Sequence, residues 1–299
     1  MRPKLENTVP RFVGQSHVQF AGWDKHGTHR QLIPIRQADS RVDAMQLLNG
    51  LNGLRMDRRR SLLGQLKQKL DALHGTDSVT AMNRHYSRAF DLLASAAGRE
   101  AFDLTRESTA VRNRYGRHPH GQSVLQTRRL MERGVPLVTV FWPNDGIKNV
   151  SIYGDAHGRN FIDHLDRLMP SADQAFSAPL DDLQEDGLLD ETPAIWTGEF
   201  GRTPKIGQRT SDAGTGADGR DHWPNCFTSV LAGEGIRGGE VYGSSDQHAT
   251  YPASNAVNPV DLTTTIYELL GVPADLEVTD NLGRTLVIAP GQPIHSLIG

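Results

Sequence analysis

Pro136-Leu137-Val138-Thr139-Val140-Phe141-Trp142 is a near-continuous apolar run, and it follows a helical segment, Gln122 to Arg133, that Gly134 closes. Val124, Leu125, Leu130 and Met131 are the apolar positions of that helix. An uninterrupted apolar strand suits a sheet covered on both faces, so a helix feeding such a strand predicts an α/β fold. After the turn signal Asn144-Asp145-Gly146 comes a long helical stretch, Phe161 to about Asp186, with Leu165, Leu168, Ala172, Ala175 and Phe176 as its apolar positions. Pro170 and Pro179 are placed to kink or divide it. Short strands are expected at Pro193 to Trp196, Phe227 to Leu231 and Glu240 to Tyr242, then a last helix from Val260 to Leu270, closed by Gly271, with Asp261 in its first turn. The tail, Leu282 to Ile298, reads as short strands and turns.

Upstream, residues 1–40 show no periodicity and hold three histidines, His17, His26 and His29, in loop-like context. From Ser40, Met45, Leu48 and Leu51, then Leu62, Leu63, Leu66, Leu70 and Leu73, recur at three- and four-residue spacings, and a second helix is expected from about Ser78 to Ala97. Basic residues then gather between Arg106 and His120, where Tyr115-Gly116-Arg117 and Pro119 signal a turn. The organisation expected is an irregular segment over 1–40 and a single domain over 41–299 with a helical N-terminal third.

With 299 residues, 37% hydrophobic and 22% charged, the chain is long and apolar enough for a substantial core. A net charge of -3 supplies no basic field for a phosphate backbone, so nucleic acid is not an expected partner. The lone Cys226 excludes an internal disulfide framework and a cysteine-rich zinc site. No apolar run approaches the roughly 20 residues that span a bilayer. Met1 to Asn7 leads into no apolar stretch of signal-peptide type, so the chain as written is expected in the cytoplasm.

Chemistry concentrates in loop-type sequence after the predicted strands. Asp155 with His157, Glu199 with Arg202, and Asp221 with His222 each combine metal-ligand or anion-binding side chains. In extended chain, alternation points Asp155 and His157 to the same side, whereas the adjacent Asp221 and His222 can face different groups. Carboxylates with imidazoles suit zinc, manganese or iron, and carboxylate-rich sites also suit calcium or magnesium. Arg202 or Arg220 could hold an anion, because a guanidinium matches phosphate or sulfate oxygens in pairs.

Gly198-Glu199-Phe200-Gly201-Arg202-Thr203-Pro204, followed by Gly219-Arg220-Asp221-His222-Trp223-Pro224, resembles the signature of the domain of unknown function 1501 family. These are bacterial proteins, abundant in planctomycetes, grouped with the alkaline phosphatase and sulfatase superfamily. Tyr115-Gly116, Arg128-Arg129-Leu130, Gly187-Leu188-Leu189-Asp190, Leu231-Ala232-Gly233, Asp261-Leu262 and Gly283-Arg284 extend the likeness from about residue 40 to the end. The resemblance implies a three-layer α/β/α sandwich with a mixed, mainly parallel sheet, and divalent metal ions, zinc ahead of calcium, magnesium or manganese. It implies Asp155, His157, Glu199, Asp221 and His222 as metal ligands, and Arg202 and Arg220 as anion-binding catalytic groups. The substrate implied is a small-molecule or polymer-borne phosphate or sulfate ester, hydrolysed in exported or periplasmic relatives. Two departures stand beside this. The family's N-terminal strand and Gly-Pro-Ser-His motif have only Gly14-Gln15-Ser16-His17 as a counterpart, and its Trp-Asp-Thr-His appears as Gly154-Asp155-Ala156-His157. A truncated hydrolase and a non-catalytic metal- or anion-binding scaffold are therefore the two functions expected.

Overall fold

A computed structural model describes Ser61 and residues 100–135, 137–142, 155–212, 215–280 and 282–299. The expectations for residues 1–40, for the helices over 41–97 and for the turn at Asn144 to Gly146 lie outside these residues. The chain divides into two compact units, Met1–Gly146 and Ile147–Gly299.

Among the described residues of the first unit, two α-helices matter here, α1 (Thr109–Arg114) and α2 (Pro119–Met131). Ser108 caps α1 by accepting from the Val111 N–H, and His118 caps α2 by accepting from the Gly121 N–H through Nδ1. The turn at Tyr115 to Arg117 joins them, as the sequence signals, although α1 occupies part of the basic segment before it. Leu130 of α2 packs with Ala101 and Phe102, and Val135 and Val138 lean on that cluster. Arg129 is buried because its guanidinium finds oxygen on every side. It donates to the Ala101 carbonyl at 3.0 Å and to the Glu100 carbonyl, and it pairs with Glu107.

The described part of the second unit carries one continuous helical stretch in three parts: α3 (Asn160–Asp163), a wide π-turn (His164–Leu168) and α4 (Met169–Glu185). The π-turn lies immediately before Met169-Pro170, where the proline has no N–H to give to a regular helical ladder. Pro179 is accommodated inside α4. Leu168, Ala172, Ala175 and Leu183 form its buried stripe, and Phe176 meets Trp196 at 5.6 Å between ring centroids. Trp196 belongs to β1 (Ala194–Thr197), and β2 (Gly201–Arg202), β3 (His222–Trp223) and β4 (Ser229–Ala232) follow. Further on come β5 (Ser244–Ser245), β6 (Pro252–Ser254), α5 (Pro259–Leu269), β7 (Glu277–Thr279) and β8 (Thr285–Val287).

These strands correct the expected sheet. Among the described residues the ladders are four antiparallel pairs, β1 with β4, β2 with β3, β5 with β6 and β7 with β8, in place of a mainly parallel sheet within an α/β/α sandwich. Leu137 to Trp142, the described part of the run Pro136 to Trp142 read as the diagnostic buried strand, joins none of them. Val138 faces the Phe102 cluster while Phe141 is 41% exposed, so the run is covered on one side only. A continuous apolar run specifies burial without specifying a hydrogen-bonding partner. Glu240 to Tyr242 is likewise unpaired, the nearby ladder using Ser244 and Ser245 instead. Among the described residues no helix is long and apolar enough to cross a membrane.

The C-terminal tail is fastened to α5 by hydroxyl and carboxylate groups of its first two turns. The Asp261 carboxylate accepts from the Gln292 N–H at 2.8 Å, Thr264 from the Gly291 N–H at 3.1 Å and Thr265 from the Ile294 N–H at 3.0 Å. Asp261 therefore does more than favour the helix dipole. Thr265→Val keeps the shape but leaves the buried Ile294 N–H without an acceptor, and it is expected to cost about 1–3 kcal/mol in chemical denaturation. An unchanged midpoint would contradict this role for Thr265.

Candidate metal centre

β2 and β3 are two residues each, yet they set the spacing of the site. Their register places Arg202 opposite His222 and Gly201 opposite Trp223, and directly opposed side chains emerge on one face. Two glycines allow the close backbone approach this requires. A Cβ on Gly201 would stand 2.0 Å from the Cys226 carbonyl oxygen, and one on Gly219 would stand 2.0 Å from the Thr215 oxygen and 2.3 Å from the His157 oxygen. The segment carrying Asp155 and His157 thus lies directly on the loop that ends at His222, and the Arg220 N–H donates to the His157 carbonyl at 3.2 Å.

Three nitrogen groups converge on one oxygen, Asp155 Oδ1. Arg202 Nη2 lies at 2.5 Å, His157 Nε2 at 3.0 Å and His222 Nε2 at 3.1 Å. Arg202 also reaches His157, with Nη1 at 3.4 Å from Nε2. The two imidazoles meet edge to face, their centroids 4.6 Å apart. Asp155 is 48% exposed while His157 is 13% exposed, so the cluster opens to solvent at the aspartate and is closed behind.

Behind His157 stands Asp221, fully buried. Its Oδ2 accepts from the N–H groups of Thr210 and Ser211, both at 2.8 Å, and its Oδ1 accepts from the Ser211 hydroxyl at 2.6 Å and the His222 N–H at 2.8 Å. Burial by itself would raise the pKa of this carboxyl. The Ser211 hydroxyl and the three amides outweigh it and hold the group well below the ordinary carboxylate range. Asp155 is shifted the same way: partial burial raises it, but the Arg202 hydrogen bond and charge, with His157 and His222, prevail. His164, in the π-turn, is lowered first by burial and then by the Arg202 charge, against the opposing pull of Asp163.

Donor counting at His157 decides what the cluster suits. Its Nδ1 is buried, with Asp221 Oδ1 at 3.5 Å and no closer hydrogen-bond partner, while its Nε2 faces Asp155 Oδ1. His157 thus stands between two carboxylates, a setting that suits positive charge, and the Arg202 fork supplies part of that charge. A divalent cation would supply it more fully. Asp155, His157 and His222 each offer one ligand atom, all within 4.8 Å of one another. The separations of 3.0 and 3.1 Å from Asp155 Oδ1 are close to the roughly 3.3 Å between two ligands of a tetrahedral ion with bonds of about 2.0 Å. Two imidazoles and a carboxylate form a zinc-type donor set, and a carboxylate behind a ligating histidine is the usual means of fixing its orientation.

The remaining expected site residues lie elsewhere. Glu199 is exposed on the turn between β1 and β2, outside the ligand group. Asp221 adjoins the group from behind, with both oxygens committed to donors. The guanidinium of Arg220 lies 5.1 Å from the centre of the Phe161 ring, while Arg202 is at the cluster. Sequence reading singled out neither Ser211 and Thr210 nor His164. Ser211 and Thr210 sit in the Gly/Asp/Ser/Thr-rich bridge, whose composition signals a loop but not the buried acid it encloses. Asp163-His164, soon after Asp155-Ala156-His157, was the available signal for the third.

Because the Asp221 pKa is depressed in the folded chain, the unfolded chain takes up the proton first as pH falls. The stability due to Asp221 is then complete above its unfolded pKa, about 3.9, and is lost as pH falls through the lower folded value. Asp221→Asn, which turns an amide N–H towards existing donors, is expected to lose about 2–4 kcal/mol at pH 7. The gap between mutant and wild type should narrow in acid unfolding below about pH 4. A gap independent of pH would refute the assignment.

No curated protein and no solved structure matches the chain. The family described as "Protein of unknown function (DUF1501)" matches residues 26–298, a span holding Asp155, His157, Arg202, Asp221 and His222. The chain belongs to the DUF1501 family.

Proposed function

We propose that this chain binds a divalent cation through Asp155, His157 and His222 and acts as a hydrolase of phosphate or sulfate esters, of the alkaline phosphatase and sulfatase type. The observation that carries the reading is the convergence of His157 Nε2, His222 Nε2 and Arg202 Nη2 on Asp155 Oδ1. Zinc suits the two-imidazole donor set best; calcium and magnesium prefer oxygen ligands throughout. When bound, such an ion activates water and stabilises the charge developing on a transferring group.

The chain's own residues do the rest. Asp221 holds His157 in orientation from the buried side, and the Gly219 contact keeps the His157 segment against β3. Arg202 offers a planar fork that grips two oxygens of the ester, which a lysine would not match. Asp155 and Arg202 cancel in charge, so a divalent ion would outweigh the buried Asp221 carboxylate and leave the site net positive, suited to an anionic ester.

A second reading, a metal- or anion-binding scaffold without turnover, is favoured by the hydroxyls of the loop that encloses Asp221. Ser211 Oγ is committed to Asp221 and Thr210 Oγ1 to the His222 carbonyl at 2.7 Å, which leaves neither free to attack an ester.

Elemental analysis of the purified protein, paired with hydrolysis of 4-nitrophenyl phosphate and 4-nitrophenyl sulfate, separates these. The hydrolase reading expects near-stoichiometric metal, activity abolished by chelation and restored by zinc, and kcat/KM reduced on the order of 100-fold in Arg202→Lys with metal retained. Metal without turnover supports the scaffold. Protein that neither carries nor takes up metal contradicts the hydrolase, and protein that binds neither metal nor phosphate contradicts both.

A further inference from the structure

Phe200 is 46% exposed although it sits beside the metal centre. Its ring centre is 5.3 Å from that of His222, tilted by 49°. Phe200 directly precedes β2, and alternation along extended chain sends residues 200 and 202 to the same side, so the ring and the Arg202 guanidinium flank His222 together. The cluster opens to solvent at half-exposed Asp155. An ester with its oxyanion on Arg202 would therefore carry its organic group past an uncovered phenyl face. Exposed rings are common, but this one is supported on one side by the imidazole of His222, a proposed ligand.

We infer that Phe200 is a specificity-determining residue that selects aryl over small alkyl esters by stacking on the ester's organic group. The inference rests on the proposed oxyanion site at Arg202. A planar aromatic group gains from a tilted or offset ring pair as well as from covering apolar area, whereas a methyl group gains little. Glu199 and Gly201, the neighbours of Phe200 in sequence, offer no comparable surface.

Calorimetry on the full chain supplied with zinc, using phenylphosphonate, methylphosphonate and inorganic phosphate, tests this without turnover. Wild type should prefer phenylphosphonate to methylphosphonate by about two- to tenfold. Phe200→Ala should equalise them, Phe200→Tyr should keep the preference, and phosphate should bind all three proteins alike. Phe200→Leu, which retains apolar bulk without a ring, serves if the alanine variant does not fold, with a reduced preference expected. An undiminished preference after ring removal, or none in wild type while phosphate binds, overturns the role of Phe200 and leaves the oxyanion site standing. Failure of wild type to bind any of the three overturns both.

Discussion

Asp221 carries a carboxylate into a fully buried position with no lysine or arginine salt bridge to it among the described residues. Moving such a charge out of water costs several kcal/mol. Hydrogen bonds to a charged acceptor contribute about 1.5–3 kcal/mol each, and the hydroxyl and three amides from Ser211, Thr210 and His222 together offset that cost. The depressed pKa has the same origin. Through these bonds one side chain closes the loop between β2 and β3, fixes the backbone at His222 and faces His157 from behind. Arg202 and His222 are opposed in the β2–β3 ladder because that loop is closed.

Asp155 stands at the opposite electrostatic extreme, half exposed and shared by three nitrogen groups. Arg202 neutralises it and reaches His157. On the proposed reading, a bound divalent ion would compete for the same carboxylate and free the guanidinium for an ester oxyanion, so cation and anion binding would be linked through one aspartate. A surface ion pair by itself is worth little.

The candidate site was more legible in the sequence than the fold was. Asp155, His157, His222 and Arg202 stood out because their residue types state their chemistry and the Gly-rich context states a loop. Glu199 and Arg220 carried the same signals, and what separates them is orientation: the turn leaves Glu199 in solvent, and the Arg220 guanidinium settles over Phe161. Residue type does not encode that difference. The fold reading depended on Pro136 to Trp142, and apolar content there predicted burial without predicting pairing. Gly201 and Gly219 read as loop residues, yet a Cβ would stand 2.0 Å from the Cys226 oxygen at the first and 2.3 Å from the His157 oxygen at the second, contacts between segments far apart in sequence. Helix ends fared better, since Gly271 closing α5, with φ +67°, is a local matter.

Zinc added to the purified chain, followed by an anomalous difference map at the zinc edge from its crystals, tests the central claim most directly. The account predicts one strong peak within bonding distance of an Asp155 carboxylate oxygen, His157 Nε2 and His222 Nε2, with Asp221 behind His157 and outside the coordination sphere. A map with no peak there, or with zinc held by Glu199 or Asp221 instead, would contradict it.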